Sequence, residues 1–369
     1  MENEQNVFTE LGLTITQTEI MYNLERQKTQ SDIDAEKNPE NLALKKLWIK
    51  KWEKEISTAF VEQFNDTSLR WLEERELSKV ISDEISLSPN KMWLHLAVLE
   101  TALFTPYYAL EYETKKISEK EKTIPTKESK AFQKLKYKAK NAWLKNYLIQ
   151  SKFIKSDFVE RVEKCYKKAN DRLTGKAQKL VILVLANVAA AAIIAATAGL
   201  FAGPIAVMLV GSNFPTLTGA ALTNACLALL GGGAIAIGGA GMAGGTAAIV
   251  GGGALLGLGV TSTISGAAAT IGIFTNKQTA ISQAAKLEVT MKEIILNTQG
   301  DVNFAQEVLK SYKENIKKLK DRLGDLELNQ EEDKKAIKSL KEVIEILEKS
   351  YKYNQKFASA YEIGITTEA

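Results

Sequence analysis

The sequence predicts an all-α protein of long amphipathic helices and a coiled-coil bundle around a central Ala/Gly-rich segment that spans or inserts into a membrane. Three observations carry this expectation. Apolar residues recur at helical spacing on both sides of the chain's middle, and no convincing run of alternating strand residues interrupts them. Between Lys179 and Lys277 lie 97 residues without one Asp, Glu, Lys, Arg or His, far outside what chance gives in a chain with 25% charged residues. The remaining charge is uneven. Residues 1–114 carry 12 basic and 21 acidic side chains, a net of −9; residues 115–179 carry 20 and 7, a net of +13; residues 277–369 carry 16 of each. The chain therefore divides into an acidic N-terminal helical region (1–114), a basic helical region (115–179), an uncharged membrane-inserting region (180–276) and a C-terminal long-helix region (277–369).

Residues 1–38 are polar and mixed, with a short apolar stretch at Leu11, Leu13 and Ile15 that has the size of a docking segment. Asn38-Pro39 reads as an N-cap followed by proline at the first helical position. From there Leu44, Leu47, Trp48, Ile56, Phe60 and Phe64 follow helical spacing. A second helix is expected over 69–85. A third, KMWLHLAVLETALF, begins after Ser88-Pro89 and stops before Pro106. Beyond Pro125, KAFQKLKYKAKNAWLKNYLI and SDFVERVEKCYKKANDRL read as two basic helices, the latter capped by Ser156 or Asp157. In the C-terminal region Ala305, Leu309, Tyr312, Ile316, Leu319, Leu323 and Leu326 step by four and three, and the register resumes at Ile337, Leu340, Ile344, Leu347 and Tyr351. Continuity of phase favours one helix over 302–351, on the order of 75 Å long. A hairpin at LELNQEED is the alternative.

The uncharged region holds two kinds of sequence. Residues 180–211 are rich in Ala, Ile, Leu and Val, enough for one span of about 20 residues and the start of another beyond Gly203-Pro204. After the polar turn SNFPTLTG, residues 219–275 are rich in Gly and Ala, with Gly at 13 of the 29 positions from 231 to 259. This tract contains a formal G-x-G-x-x-G at Gly239, Gly241 and Gly244. A dinucleotide turn needs an acidic residue about 20 positions on, and that neighbourhood reads GVTSTISG. A phosphate loop needs a Gly-Lys-Ser/Thr that is also missing, so nucleotide binding is not expected. In water each glycine costs a helix roughly 1 kcal/mol relative to alanine. In a bilayer every backbone group must be satisfied internally, which favours helix, and small residues let helices approach closely. Gly241 with Gly245, and Gly253 with Gly257, are the candidate packing positions. A fold that shelters this segment within its own helices and releases it into lipid fits the same sequence. Asn213, Asn224, Thr246, Thr261 and Ser265 are candidate pore-lining groups, and the lack of a charged ring predicts weak ion selectivity.

Basic residues flank the region on both sides, which predicts an even number of crossings, two to four, with both termini on the cytoplasmic side. Lys167, Lys168, Arg172, Lys176, Lys179 and Lys277 are the candidate contacts to anionic headgroups, at about 1 kcal/mol each. Packing against the acidic N-terminal region is the second reading of the basic segment, and nucleic-acid binding the third. Catalysis is not expected. The single histidine, His95 in MWLHLAVLE, reads as a core residue; Glu73, Glu74, Glu76, Glu331, Glu332 and Asp333 read as solvated helix faces. Cys165 and Cys226 lack metal-type spacing. No cofactor or metal is implied. The N-terminus MENEQNVFTELGL lacks the basic and apolar parts of a secretory signal, so synthesis in the cytoplasm is expected.

Long amphipathic helices, an uncharged Ala/Gly-rich zone and a heptad helix, in that order, resemble the α-helical pore-forming toxins, whose bundle hides a hydrophobic hairpin. The stretch GGGAIAIGGAGMAGG between helical regions also resembles the membrane-perforating effectors of bacterial anti-phage defence. This resemblance covers the architecture and no diagnostic motif. It implies insertion into a lipid bilayer, homo-oligomerisation and a possible regulatory partner or companion subunit. The absent secretory signal and the length of the zone tilt the expectation toward an effector acting from inside the cell.

Overall fold

A computed structural model describes residues 13–63, 67–117, 120–175, 277–328 and 334–364. In chain order these form α1 (Ile15–Asp34), α2 (Pro39–Gln63), α3 (Glu74–Leu87), α4 (Met92–Leu103), β1 (Tyr112–Ile117), β2 (Lys120–Pro125), α5 (Lys127–Phe132), α6 (Ala142–Ser151) and α7 (Phe158–Thr174). After the uncharged region come α8 (Lys277–Val289), a π-helical continuation (Thr290–Gln299), α9 (Val302–Leu328) and α10 (Lys334–Glu362). The described chain is mostly helical. Its one departure from an all-α class is the antiparallel hairpin β1–β2, paired from Tyr112 with Pro125 to Ile117 with Lys120. That hairpin corrects the expectation that the region holds only helix.

The least anticipated element is α1. Thr14 starts it with a capping box: its hydroxyl accepts from Gln17 N (3.2 Å) and the Gln17 side chain accepts from Thr14 N (3.1 Å). The helix has no apolar stripe, yet it is buried on nearly every side. Such a helix is stable only if its polar groups find partners; they do, apart from the buried Tyr22 hydroxyl, which has none. Asn23 accepts from Leu72 N (2.6 Å) and donates to Arg70 O (2.9 Å), while Gln27 donates to Leu72 O (2.8 Å). Glu19 receives both the Arg70 backbone N–H and its guanidinium. Lys28 Nζ donates to Thr101 O (2.6 Å) and Phe104 O (2.8 Å), satisfying carbonyls that α4 leaves open at its C-terminus. Asp32 accepts four hydrogen bonds, from Lys45 Nζ (2.6 Å), Tyr107 OH (2.7 Å) and the backbone N–H groups of Lys138 and Ala139 (2.8 Å each).

Those last two bonds explain a second correction. The basic stretch 130–149 is not one helix: it breaks into α5 and α6, because the N–H groups of 138 and 139 are spent on Asp32 and Lys140 takes a left-handed backbone (φ 48°). The second expected helix also starts later, at Glu74, since residues 67–73 stay non-helical and supply the backbone groups that α1 binds. The proline-started α2 forms as expected and contributes Trp48 and Trp52, stacked at 5.9 Å and packed with Phe104, Tyr107 and Tyr108.

In the C-terminal region the single helix over 302–351 is replaced by the hairpin alternative. Tyr312 meets Tyr351 edge-on at 6.0 Å and Lys320 pairs with Glu348 at 2.5 Å, so α9 and α10 run in opposite directions. The heptad positions Ala305, Leu309, Tyr312, Ile316, Leu319, Leu340, Ile344 and Leu347 are buried. The apolar seam is thus largely used within the chain. Lys277–Glu342 (3.7 Å), Ser350 Oγ to Ala284 O (3.4 Å) and Tyr361 OH to Leu296 O (2.8 Å) keep a nearly constant offset, so α8 and its π-helical continuation run parallel to α10. The π segment closes at Gly300 in the left-handed region (φ 68°).

Candidate functional site: the roots of the uncharged zone

Helix α7 leads into the uncharged zone and α8 leads out of it, and the two pack against each other. Near the start of α7, Arg161 pairs with Glu293 (2.8 Å); further along it, the Tyr166 hydroxyl meets Ser282 Oγ (3.0 Å). Advancing along α7 therefore goes back along α8, an antiparallel arrangement. The end of α7 and the start of α8 lie at one end of the bundle, so both roots of the zone leave on the same side.

The roots are locked by charge as well as by packing. Arg172, in the last turn of α7 and itself partly exposed, pairs with the fully buried Glu288 of α8 and lies over the Tyr353 ring of α10, 3.4 Å from its centroid. Burial raises the Glu288 carboxyl, and Arg172 opposes that shift. On the other face of α8, Lys286 pairs with Glu100 of α4. Burial works against the Lys286 charge, but Glu100 outweighs it and holds the ammonium above its usual range. Glu25 of α1 faces this pair, and burial followed by repulsion from Glu100 pushes its carboxyl up to about 8. These two clusters, on opposite faces, tie the exit helix to α7 and α10 and to α1 and α4. Removing one member of a buried pair costs about 3–5 kcal/mol, because the charge left behind has lost its solvent and its partner.

Of the expected headgroup contacts, Lys167 and Lys168 are exposed on α7 and Lys277 is exposed at the start of α8. Arg172 is committed to Glu288 and Tyr353 instead, and packing accounts for more of the basic segment than its charge alone announces. Lys138 pairs with Glu36 of the acidic N-terminal region at 3.2 Å. Lys176, Lys179, the packing glycines Gly241, Gly245, Gly253 and Gly257, and the pore-lining candidates Asn213, Asn224, Thr246, Thr261 and Ser265 lie outside the described residues, as do Cys226, Glu331, Glu332 and Asp333. Among the described residues no helix is long and apolar enough to cross a membrane, and no cluster of His, Cys, Asp and Glu is placed to hold a metal ion.

His95 is buried, as its neighbours imply. Its Nδ1 lies 2.7 Å from Lys91 O and its ring stands edge-on to Phe158 at 4.8 Å. Burial, ahead of the charges of Arg161 and Lys91, lowers its pKa. Cys165 is half-buried and its thiol is pushed up to about 12 by burial, which makes it a poor nucleophile. The acidic run 73–76 holds structure together: Glu73 pairs with Arg26 (3.3 Å) and Glu74 accepts from Trp143 Nε1 (2.9 Å).

The sequence offers Lys286 only as a basic residue of the flank, and it gives Glu100 and Glu288 no role. A usable signal existed, since Lys286 and Glu288 are the only charges in AISQAAKLEVT, and isolated charges on an otherwise apolar helix require buried partners. No protein-family model, curated protein or solved structure matches the chain.

Proposed function

We propose that this protein permeabilises membranes, inserting residues 180–276 as helices, assembling into homo-oligomers and forming a pore or channel. The observation that carries the reading is the uncharged run of 97 residues, held between two helices that are locked side by side. Roots on one side of the frame suit an even number of crossings, because a chain that leaves and returns at one face must cross in pairs. Lys277 is exposed at the start of α8, and Lys167 and Lys168, exposed on α7, stand about 10–12 Å short of its end, within reach of the headgroups the reading calls for. Action at a cell membrane with both termini on the cytoplasmic side, as a toxin or defence effector and without enzymatic activity, belongs to the same proposal.

Release of a trapped dye from anionic liposomes tests it. Concentration-dependent release is expected. Ala248→Arg places a charge that costs about 2.5–3.5 kcal/mol at the centre of a spanning helix, and should abolish release while the helical signal of the flanking regions persists. No release at any concentration would remove the proposal.

The locked roots favour one other reading, a constitutive membrane-anchored helical scaffold that conducts nothing, since a permanent anchor needs no moving root. Expression separates the two: a pore former depolarises its host and arrests growth, whereas an anchor is tolerated.

A further inference from the structure

We infer that the groove between the N-terminal ends of α4 and α7 binds a small phosphorylated molecule that carries an apolar group. The inference does not depend on whether residues 180–276 enter a membrane.

The groove has a volume of about 530 Å³, within the roughly 300–1,000 Å³ range of small-molecule sites. Four of its lining residues are cationic, Lys91, Lys152, Lys155 and Arg161, and none is acidic. Its apolar lining is Leu148, Ile149, Phe153 and Ile154, interleaved with the lysines at 152 and 155. Ile149 is 56% exposed there, a large aliphatic side chain left in water beside a concentration of positive charge. Local backbone geometry creates this lining. Lys152 takes the left-handed conformation (φ 56°) that ends α6, which turns the chain so that residues 152–156 line the groove. Lys91 Nζ fastens that turn by donating to Phe153 O (3.0 Å).

The nearby acids are already engaged. Arg161 holds Asp157 through Nε (3.1 Å) and Glu293 through its terminal nitrogen (2.8 Å), and both carboxylates lie outside the lining. Lys152 and Lys155 are exposed and form no ion pair among the described residues. His95 completes the set: it is 6% exposed, it lines the groove, and with Nδ1 used on Lys91 O its Nε2 has no partner among the described residues. A neutral Nε2 accepts from a phosphate O–H, and a protonated one donates to a phosphate oxygen.

Position decides between the two sources of such a ligand. Arg161 stands 14 residues before Gly175, so the groove lies about 21 Å back along α7 from the roots of the uncharged zone. Lipid bound at Lys277 would sit at the other end of the bundle, and Lys167 and Lys168 stand about halfway between the groove and that end. The geometry favours a dissolved phosphorylated molecule over a headgroup of the same membrane.

The chain has one histidine, so its imidazole resonance is an unambiguous reporter. Full-length protein in detergent is titrated with inorganic phosphate, with phenyl phosphate and with vesicles of anionic phospholipid. Phenyl phosphate should shift the His95 resonance saturably, bind about tenfold tighter than inorganic phosphate because its ring covers the apolar lining, and raise the His95 pKa by placing a negative charge beside the ring. Lys152→Glu with Lys155→Glu, both at exposed positions, should weaken binding at least tenfold with the helical signal unchanged. Vesicles that displace phenyl phosphate would assign the phosphate to a lipid headgroup; vesicles without effect would assign it to a dissolved molecule. The inference is overturned if phenyl phosphate gives no saturable shift, or if the charge-reversed protein binds it as tightly as the original.

Discussion

Helix α1 and the α9–α10 hairpin are both buried in the same bundle, and they reach burial by opposite means. The hairpin follows the rule that a helix hides an apolar stripe: Leu309, Tyr312, Ile316 and Leu347 face inward while Lys320 and Glu348 meet at the surface. Helix α1 has no stripe to hide, and it is buried because Asn23, Gln27, Lys28 and Asp32 each saturate backbone or charged groups of other elements. The difference lies in what failure would cost. An apolar seam loses energy in proportion to the atoms removed, whereas a saturated polar site loses its own bonds and also strands its partners.

The comparison breaks hardest at Asp32. Replacing it with Ala removes four accepted hydrogen bonds and leaves the fully buried Lys45 with Glu36 alone, so denaturant unfolding should register a loss of about 3–5 kcal/mol. On the hairpin side, Leu347→Ala deletes a buried seam residue and should cost about 2–4 kcal/mol in the same measurement. If Asp32→Ala costs less than about 2 kcal/mol, polar burial in α1 has no special weight.

Glu25 sharpens the contrast through pH. Its carboxyl is raised from an ordinary value near 4.5 to about 8, so between those values the folded protein keeps a proton that the unfolded chain has released. Its contribution is therefore fully present below about pH 4.5 and is lost as pH rises toward 8. Lys28, lowered by burial to about 7, adds the opposite slope, restoring stability only from about pH 7 upward. In Glu25→Gln the melting temperature should lose the downward slope across pH 5–8 and exceed that of the original protein at the upper end. A profile parallel to the original would show that Glu25 titrates normally. The smallest effect is expected at the hairpin surface, where Lys320→Ala removes an exposed ion pair and should change stability by less than about 1 kcal/mol.

The same contrast explains what the sequence could disclose. The periodic elements were legible: Asn38-Pro39 marked the start of α2, apolar spacing and Pro106 bracketed α4, and the heptad register located both arms of the hairpin. The connection between those arms was misjudged because an in-phase seam serves one long helix and a folded pair equally well. Helix α1 was invisible because its burial depends on partners 13 to 107 positions away, and no local pattern encodes them. The hairpin β1–β2 escaped because YETKKISEKEKTIP alternates charge where an apolar alternation would announce a strand. At the candidate site the basic flank was readable as charge, but the pairing of Arg172 with Glu288 required the fold.

The most direct measurement places a fluorophore inside the uncharged zone. Ala248→Cys, in a chain whose Cys165 and Cys226 are replaced by Ser, carries an environment-sensitive label and is reconstituted with anionic vesicles. Insertion predicts a blue-shifted emission that lipid-borne quenchers extinguish and aqueous iodide does not. A label quenched by iodide and untouched by quenchers in the acyl chains would contradict it, and with it the reading of residues 180–276 as a membrane-inserting segment.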